Sequence, residues 1–125
     1  MDMMTKRDTR GQEIKRLLAA QYPTAHFRVR LHKFSMGESI HVKTDLLKES
    51  PYSHDIYALD CRQNRGEHLT EDEYTRWMAY RTVLAHNRQM SQDIRTHLIR
   101  YESIDRDQFG EILGGGNTYL NIERL

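Results

Sequence analysis

Basic side chains recur at every second position in two neighbouring segments of the chain. Arg28, Arg30 and His32 alternate with apolar residues in the first segment, and His41 and Lys43 do so in the second. An alternation of period two predicts β-strands, so these cations should share the outward face of a hairpin. Such a face, without an acidic residue, could bind nucleic-acid phosphates or an acidic protein surface. Alternation alone favours a simpler interpretation, the solvated side of a half-exposed sheet.

Large aromatic side chains form a second candidate binding surface. Tyr74, Trp77 and Tyr80 lie within one long helical pattern and are of the kind enriched at protein interfaces. The chain has only three phenylalanines, so the alternative is that most of these side chains are needed in the core. We keep all three as interface candidates.

The neighbourhood of Cys61 and His68, with His54, Asp55 and Asp60, contains the residue types used by zinc sites and cysteine nucleophiles. The spacing of Cys61 and His68 matches no usual zinc motif, and a nucleophilic cysteine also needs an orienting base. We therefore predict no metal site, no cofactor and no catalytic residue. An uncharacterised enzyme remains the last-ranked alternative.

The glycine run Gly114-Gly115-Gly116 could suggest a phosphate-binding loop. Such loops lead from a strand into a helix, whereas the pattern here leads from a helix into a strand, and no lysine follows. The run is better explained as the end of a helix.

Composition limits the classes of protein to consider. A chain of 125 residues predicts one domain over 1–125, with residues 1–8 as a flexible N-terminus. The net charge of +1 excludes strong whole-molecule attraction to nucleic acid, so recognition would need a local patch. One cysteine, no long apolar run and no signal-peptide core lead us to expect a cytoplasmic protein without a membrane partner.

The elements that position these residues begin with a helix and a hairpin. Thr9 and Gln12 form a capping-box pattern that opens a helix over about 10–21, before Pro23. Two strands follow, with Phe27, Val29, Leu31, Ile40 and Val42 on the inward side.

The second half of the chain is predicted to be mainly helical. Ser50-Pro51 is a helix-start signal, and a loop is expected from Arg62 to His68. A capping box at Thr70 to Glu73 opens the longest helix, with either a break or a change of buried face across His86 to Gln89. A last short helix is expected from Asp105, and then a strand over 118–123 with Leu120 and Ile122 facing one way.

These elements predict an α+β fold in the order α-β-β-α-α-α-β. The hairpin and the C-terminal strand would form a small antiparallel sheet packed against several helices.

The first third of the chain also resembles a known family. The motifs that carry the resemblance are Ile14-Lys15-Arg16-Leu17-Leu18, Tyr22-Pro23, Phe27-Arg28-Val29-Arg30, Gly37-Glu38-Ser39-Ile40-His41-Val42 and Thr44-Asp45. In this order they resemble the large polyvalent protein-associated domain of type twenty-nine, over residues 12–45. The family continues from Thr-Asp into Gly-Pro, whereas this chain continues into Leu46-Leu47, so the later features of the family are not carried over.

The resemblance implies a context rather than a chemistry. Domains of this family occur in large proteins of phages and conjugative elements, and a free-standing version would resemble a small accessory protein acting in the cytosol of a bacterial host. Such a protein would bind stoichiometrically to a host protein or nucleoprotein complex, for example as an anti-CRISPR or anti-restriction inhibitor. The alternative is a nucleic-acid-binding module that uses the basic hairpin face. The oligomeric state is left open.

Overall fold

The computed structural model describes residues 8–104, 108–109, 111 and 116–125. Within this part of the chain the fold class is α+β, as predicted. The helices are α1 (Arg10–Gln21), α2 (His54–Asn64) and α3 (Glu71–Leu98), and a 3₁₀ turn follows α3 at Ile99–Tyr101. The strands are β1 (Phe27–Phe34), β2 (Gly37–Thr44) and β3 (Asn117–Arg124).

The strands form one mixed sheet in the spatial order β1-β2-β3. β1 and β2 are an antiparallel hairpin, with Phe34 opposite Gly37 beside the turn. β3 runs parallel to β2, from Asn117 beside Gly37 to Arg124 beside Thr44. The prediction of a wholly antiparallel sheet is therefore wrong for the C-terminal strand.

The course of α3 accounts for this parallel pairing. A parallel strand needs a crossover that returns the chain to the end of the sheet where its neighbour begins. His86 of α3 bonds to the carbonyl of Leu46, just after β2 ends, and Ser103, just after the 3₁₀ turn, pairs with Thr118 at the start of β3. The C-terminal half of α3 thus carries the chain back to the level of Gly37, where β3 starts.

The main core lies between one face of the sheet and the helices α1 and α3. The buried side chains at its centre are Ile14 and Leu18 of α1, Ile40 and Val42 of β2, Ile94 and Leu98 of α3, and Leu120 of β3. Phe27, Val29, Leu31 and Ile122 pack against them and are half-buried. The inward faces predicted for all three strands are thus confirmed.

The start of α1 uses a different cap from the predicted one. Thr9 makes no side-chain bond to the free backbone amides, and its hydroxyl donates instead to the Glu13 carboxylate at 3.1 Å. The Asp8 carboxylate accepts from the backbone amide of Arg10 at 3.1 Å. The helix nevertheless covers Arg10–Gln21, as predicted, because its apolar residues pack on the sheet.

Arg10 also ties the first turn of α1 to β2. Its guanidinium donates to both carboxylate oxygens of Glu38, at 2.5 and 2.7 Å, and the Thr118 hydroxyl of β3 donates to the same carboxylate at 2.9 Å. The hydrogen bond from Arg10 holds the pKa of Glu38 below its usual 4.5. The same guanidinium lowers the pKa of Asp8 to about 2.

α2 begins and ends later than predicted. Its N-cap is Ser53, whose hydroxyl oxygen accepts from the Ile56 amide at 3.2 Å, so the helix starts after Pro51 and not at it. It continues to Asn64. Cys61 and Arg62 are therefore helical, and the predicted loop starts only after Asn64.

The capping box that opens α3 is confirmed. The Thr70 hydroxyl accepts from the Glu73 amide at 3.2 Å, and the Glu73 carboxylate accepts from the Thr70 amide at 2.9 Å. Of the two alternatives left open for this helix, the structure shows one unbroken helix whose buried face changes partner. Trp77 and Tyr80 pack against a second cluster of Ile56, Leu59 and Leu69, whereas the C-terminal half joins the main core.

An amide clamp marks the point where α3 changes partner. Asn87 accepts from the Lys48 backbone amide and donates to the Lys48 carbonyl, both at 2.8 Å. One residue earlier, the Nε2 atom of His86 donates to the Leu46 carbonyl at 2.9 Å. Between its two hydrophobic contacts, α3 is therefore fastened to the segment that leaves β2.

The predicted flexible N-terminus lies, except for Asp8, outside the described residues. The predicted helix from Asp105 and the first two glycines of the 114–116 run also fall largely or wholly outside them. Gly116 is described and has a φ of 70°, in the left-handed region that favours glycine.

Replacing Asn87 with alanine should destabilise the fold. It leaves the backbone groups of Lys48 without their two side-chain partners, so we expect the free energy of unfolding to fall by about 1–3 kcal/mol. Urea denaturation measures this change. Gln89→Ala is the matched control, because this exposed amide bonds only within α3, to Asp93. Equal stability of the two variants would show that the clamp contributes nothing.

Replacing Glu38 with glutamine should remove a pH-dependent part of the stability. A carboxyl whose folded pKa is lowered stabilises the fold above its unfolded pKa, and this contribution disappears as the pH falls through the folded pKa. We expect Glu38→Gln to lower the thermal midpoint at pH 7 and to differ little from the parent chain at about pH 2.

Glu49→Gln is the control, since no cation of the described residues forms an ion pair with Glu49. A deficit of Glu38→Gln that is the same at both pH values would contradict the assignment.

Candidate nucleic-acid interface

The face of the sheet opposite the main core is covered by none of the helices in the described part of the chain. We call it the open face. It consists of Arg28, Arg30, His32 and Phe34 of β1, Ser39, His41 and Lys43 of β2, and Tyr119, Asn121 and Glu123 of β3. The β1 members are exposed and the others are half-exposed. The sheet therefore presents three strands, and not only the predicted hairpin, to a ligand.

The register brings the predicted cations together. Arg28 lies opposite Lys43, Arg30 lies opposite His41, and His32 lies one pair nearer the turn. All five basic residues predicted from the alternation thus share one continuous surface. Their side chains have different surroundings, however, and these decide which charges a ligand could meet.

One carboxylate stands on the open face, contrary to the sequence prediction that the face has no acidic residue. Glu123 of β3 lies beside Lys43, and its Oε1 atom is 3.1 Å from Nδ1 of His41. The alternation within the hairpin could not reveal this neighbour, since it belongs to a strand more than 70 residues further along the chain. Glu123 offsets part of the positive charge at one end of the face.

Three of the cations remain without an acidic partner among the described residues. No carboxylate there lies within 4.0 Å of Arg28, Arg30 or Lys43, whereas most arginines of the helices do form ion pairs. Bringing an anion to them would break no existing ion pair. Their positive charge is therefore open to a ligand.

Two aromatic rings share the open face with these cations. Phe34 and Tyr119 stack with centroids 6.3 Å apart and planes 24° apart, and His32 lies 6.1 Å from Phe34. Phe34 is 41% exposed. The Asn117 amide donates to the Tyr119 hydroxyl at 3.2 Å and fixes that ring. Sequence reasoning missed Phe34, although extending the alternation one step beyond His32 would have found it.

Gly37 makes this arrangement of rings possible. It lies between Phe34 and Asn117 in the sheet, so no side chain separates the two outer strands at that level. A Cβ atom at this position would lie 2.4 Å from the Asn117 carbonyl oxygen. Because β2 and β3 approach so closely here, only glycine fits.

The aromatic interface candidates are divided between core and surface. Trp77 and Tyr80 pack against the second hydrophobic cluster, and the indole of Trp77 donates to Asp60 at 2.9 Å. Tyr74 is 49% exposed. Tyr52 and Tyr57 are not among the predicted interface residues, although they are 54% and 57% exposed.

The residues around Cys61 do not assemble into a reactive site among the described residues. Cys61 lies in α2, half-buried, and its hydrogen bond with Tyr57 raises the pKa of that tyrosine. His68 is exposed in the following loop, where its backbone carbonyl accepts from Arg62 at 3.0 Å. Across the described part of the chain, no three histidine, cysteine or acidic side chains are grouped so as to hold a metal ion.

Comparisons of the chain with protein-family models, with curated proteins and with solved structures each return no match. None of the described helices is both long enough and apolar enough to cross a bilayer.

Proposed function

We propose that this protein binds single-stranded nucleic acid across the open face of its sheet. The observation that carries the proposal is the stacked pair Phe34 and Tyr119 on the same surface as Arg28, Arg30 and Lys43. Rings that receive bases and cations that receive phosphates are the two components of a single-strand platform.

The cations suit a polyanion better than a single small ligand. Arg28 and Lys43 lie opposite each other across adjacent strands, and Arg30 lies two residues further along β1. Residues two apart on a strand are separated by about 6.6 Å, a spacing close to that of successive phosphates in an extended single strand. Neutralising phosphates here releases counterions, which makes binding depend on salt.

The rings account for a preference for single strands. Base stacking on an aromatic side chain contributes about 1–3 kcal/mol per base, and it requires an unpaired base. The bases of a duplex are already stacked on each other, so a duplex could use only the cations. Phe34 is the more exposed of the two rings and is the first stacking position.

The resemblance of residues 12–45 to a domain of phage and conjugative-element proteins fits this proposal. We place the chain among small accessory proteins that act by stoichiometric binding. Blocking the nucleic-acid channel of a host defence complex, or covering the strand that such a complex attacks, would use the same surface. On this proposal the protein is not an enzyme.

The test is fluorescence anisotropy with a labelled single-stranded oligonucleotide of about 12 nucleotides, over a series of salt concentrations. We expect binding at low salt, with a duplex of the same sequence binding more weakly. Arg28→Gln with Arg30→Gln should reduce the slope of log affinity against log salt by about 1.4. Phe34→Ala should weaken binding about 5- to 150-fold with an unchanged slope.

Two variants away from the sheet serve as controls. Arg88→Gln removes an exposed cation of α3, and Tyr74→Ala removes an exposed ring. Neither should change the affinity more than about twofold. The absence of binding at low salt, or losses at the control sites equal to those on the open face, would refute the proposal.

A second candidate function is binding to a protein partner through exposed tyrosines near α2. Tyr52 and Tyr57 are both more than half exposed, and Tyr52 lies 6.3 Å from the ring of Tyr80. Tyrosine rings of this kind are enriched at binding hot spots.

This second function predicts capture of a specific host complex by the purified protein, and loss of that capture in Tyr52→Ala with Tyr57→Ala. Phe34→Ala is the matched control, since it removes an exposed ring from the sheet. Capture that depends on Phe34 and not on the tyrosines would assign the complex to the open face instead.

A further inference from the structure

The outer edge of β1 has backbone groups that pair with nothing in the described part of the chain. Asp45 donates from its backbone amide to the His26 carbonyl at 3.4 Å, in the same register as the hairpin. Hydrogen-bonded pairs alternate along an antiparallel ladder, so the even-numbered residues of β1 bond to β2. The amides and carbonyls of Phe27, Val29 and Leu31 therefore point away from the sheet.

The outer edge of β3, on the other side of the sheet, does make hydrogen bonds with neighbouring residues. Ser103 and Thr118 exchange two backbone hydrogen bonds, at 3.0 and 2.6 Å, along the outer edge of β3. Further along, Arg95 donates to the Leu120 carbonyl at 2.9 Å and Glu102 accepts from the Leu120 amide at 3.3 Å. Specific contacts thus close the β3 edge, whereas none of the described residues closes the β1 edge.

A groove runs between the β1 edge and the first turns of α1. Its volume is about 380 Å³, and its walls include Gly11, Gln12 and Lys15 of α1 and Arg28, Val29 and Leu31 of β1. Gly11 places no side chain in the groove, and a Cβ atom there would lie in ordinary contact with Val29, at 4.0 Å, so only a larger side chain would fill the space. A strand added to β1 would therefore find apolar side chains on its helix-facing side.

The basic side chains around the β1 edge indicate which kind of strand could pair with it. Lys15, Arg28 and Arg30 have no carboxylate within 4.0 Å among the described residues. Asp8 also lines the groove, but its carboxylate is bonded to Arg10. The charged residues of β1 are all basic, so antiparallel pairing with a second copy would oppose like charges, which destabilises a strand pair. An acidic strand has the complementary charge.

We propose that an extended peptide segment with alternating apolar and acidic residues adds to β1 as a fourth strand. Its backbone would bond to Phe27, Val29 and Leu31. Its apolar side chains would enter the groove beside α1, and its carboxylates would meet Arg28 and Arg30 at the margin of the open face. This site lies beside the proposed nucleic-acid surface and shares these arginines with it.

The test uses a labelled peptide of about seven residues in which valine and glutamate alternate, with blocked ends. We expect saturable binding by fluorescence anisotropy, and slower hydrogen exchange at the amides of Val29 and Leu31 when the peptide is bound. A peptide with lysine in place of glutamate should not bind. Absence of binding of the glutamate peptide up to about 1 mM would overturn the proposal.

Methylated peptides test the backbone pairing itself. Only alternate amides of an added strand face β1, so N-methylation of the valines and N-methylation of the glutamates should have different effects. One methylation pattern should abolish peptide binding, and the other should leave it unchanged. Binding of both methylated peptides, or of neither, would contradict strand addition.

Protein variants separate this site from the nucleic-acid surface. Gly11→Leu fills the groove and should weaken peptide binding about tenfold or more, with oligonucleotide binding unchanged. Gly11→Ala is the control for folding, since its Cβ makes an ordinary contact. Phe34→Ala should weaken oligonucleotide binding and leave peptide binding unchanged. A dimer in light scattering that Gly11→Leu dissociates would assign the edge to a second copy and overturn the proposal.

Discussion

The parallel pairing of β3 with β2 is the constraint on which the rest of the structure depends. It fixes β2 in the centre of the sheet, where Ile40 and Val42 are fully buried. It also places Tyr119 and Glu123 on the open face and leaves β1 as an edge. The pairing requires the close approach that Gly37 permits and a crossover long enough to bring the chain back. α3 provides that length, and the Asn87 clamp fixes the crossover at its midpoint.

Local patterns predicted the local structure well. The bounds of α1, both strands of the hairpin and the capping box of α3 follow from spacing along a few neighbouring residues, and the structure confirms them. The direction of β3 could not be predicted in this way, because it depends on where α3 carries the chain between its contact with Leu46 and the pairing of Ser103 with Thr118. The possible break near His86 could not be resolved for the same reason. The buried face of α3 changes where the helix contacts Leu46 and Lys48, and these residues lie far away in the sequence. No periodicity within the helix contains that information.

In the candidate site, too, local features were predictable and contacts between distant segments were not. Period-two alternation located Arg28, Arg30 and Lys43 correctly on one face, since that is a property of single strands. It could not show that Glu123 would stand beside His41, or that Tyr119 would stack on Phe34. Both contacts join residues that are more than 80 positions apart. The composition of a binding face is thus a tertiary property, even where each strand of it is predictable.

The distribution of ion pairs connects stability with binding. Arg10, Arg62 and Arg95 each hold a carboxylate and fasten one element to another, so they contribute to the fold. Arg28, Arg30 and Lys15 hold none among the described residues, and they lie around the β1 edge, which no described strand or loop pairs with. Basic residues on an edge strand oppose pairing between identical copies. On the two binding proposals made above, the same charges would attract an acidic strand or a phosphate backbone, so residues that oppose pairing between copies would also select the ligand.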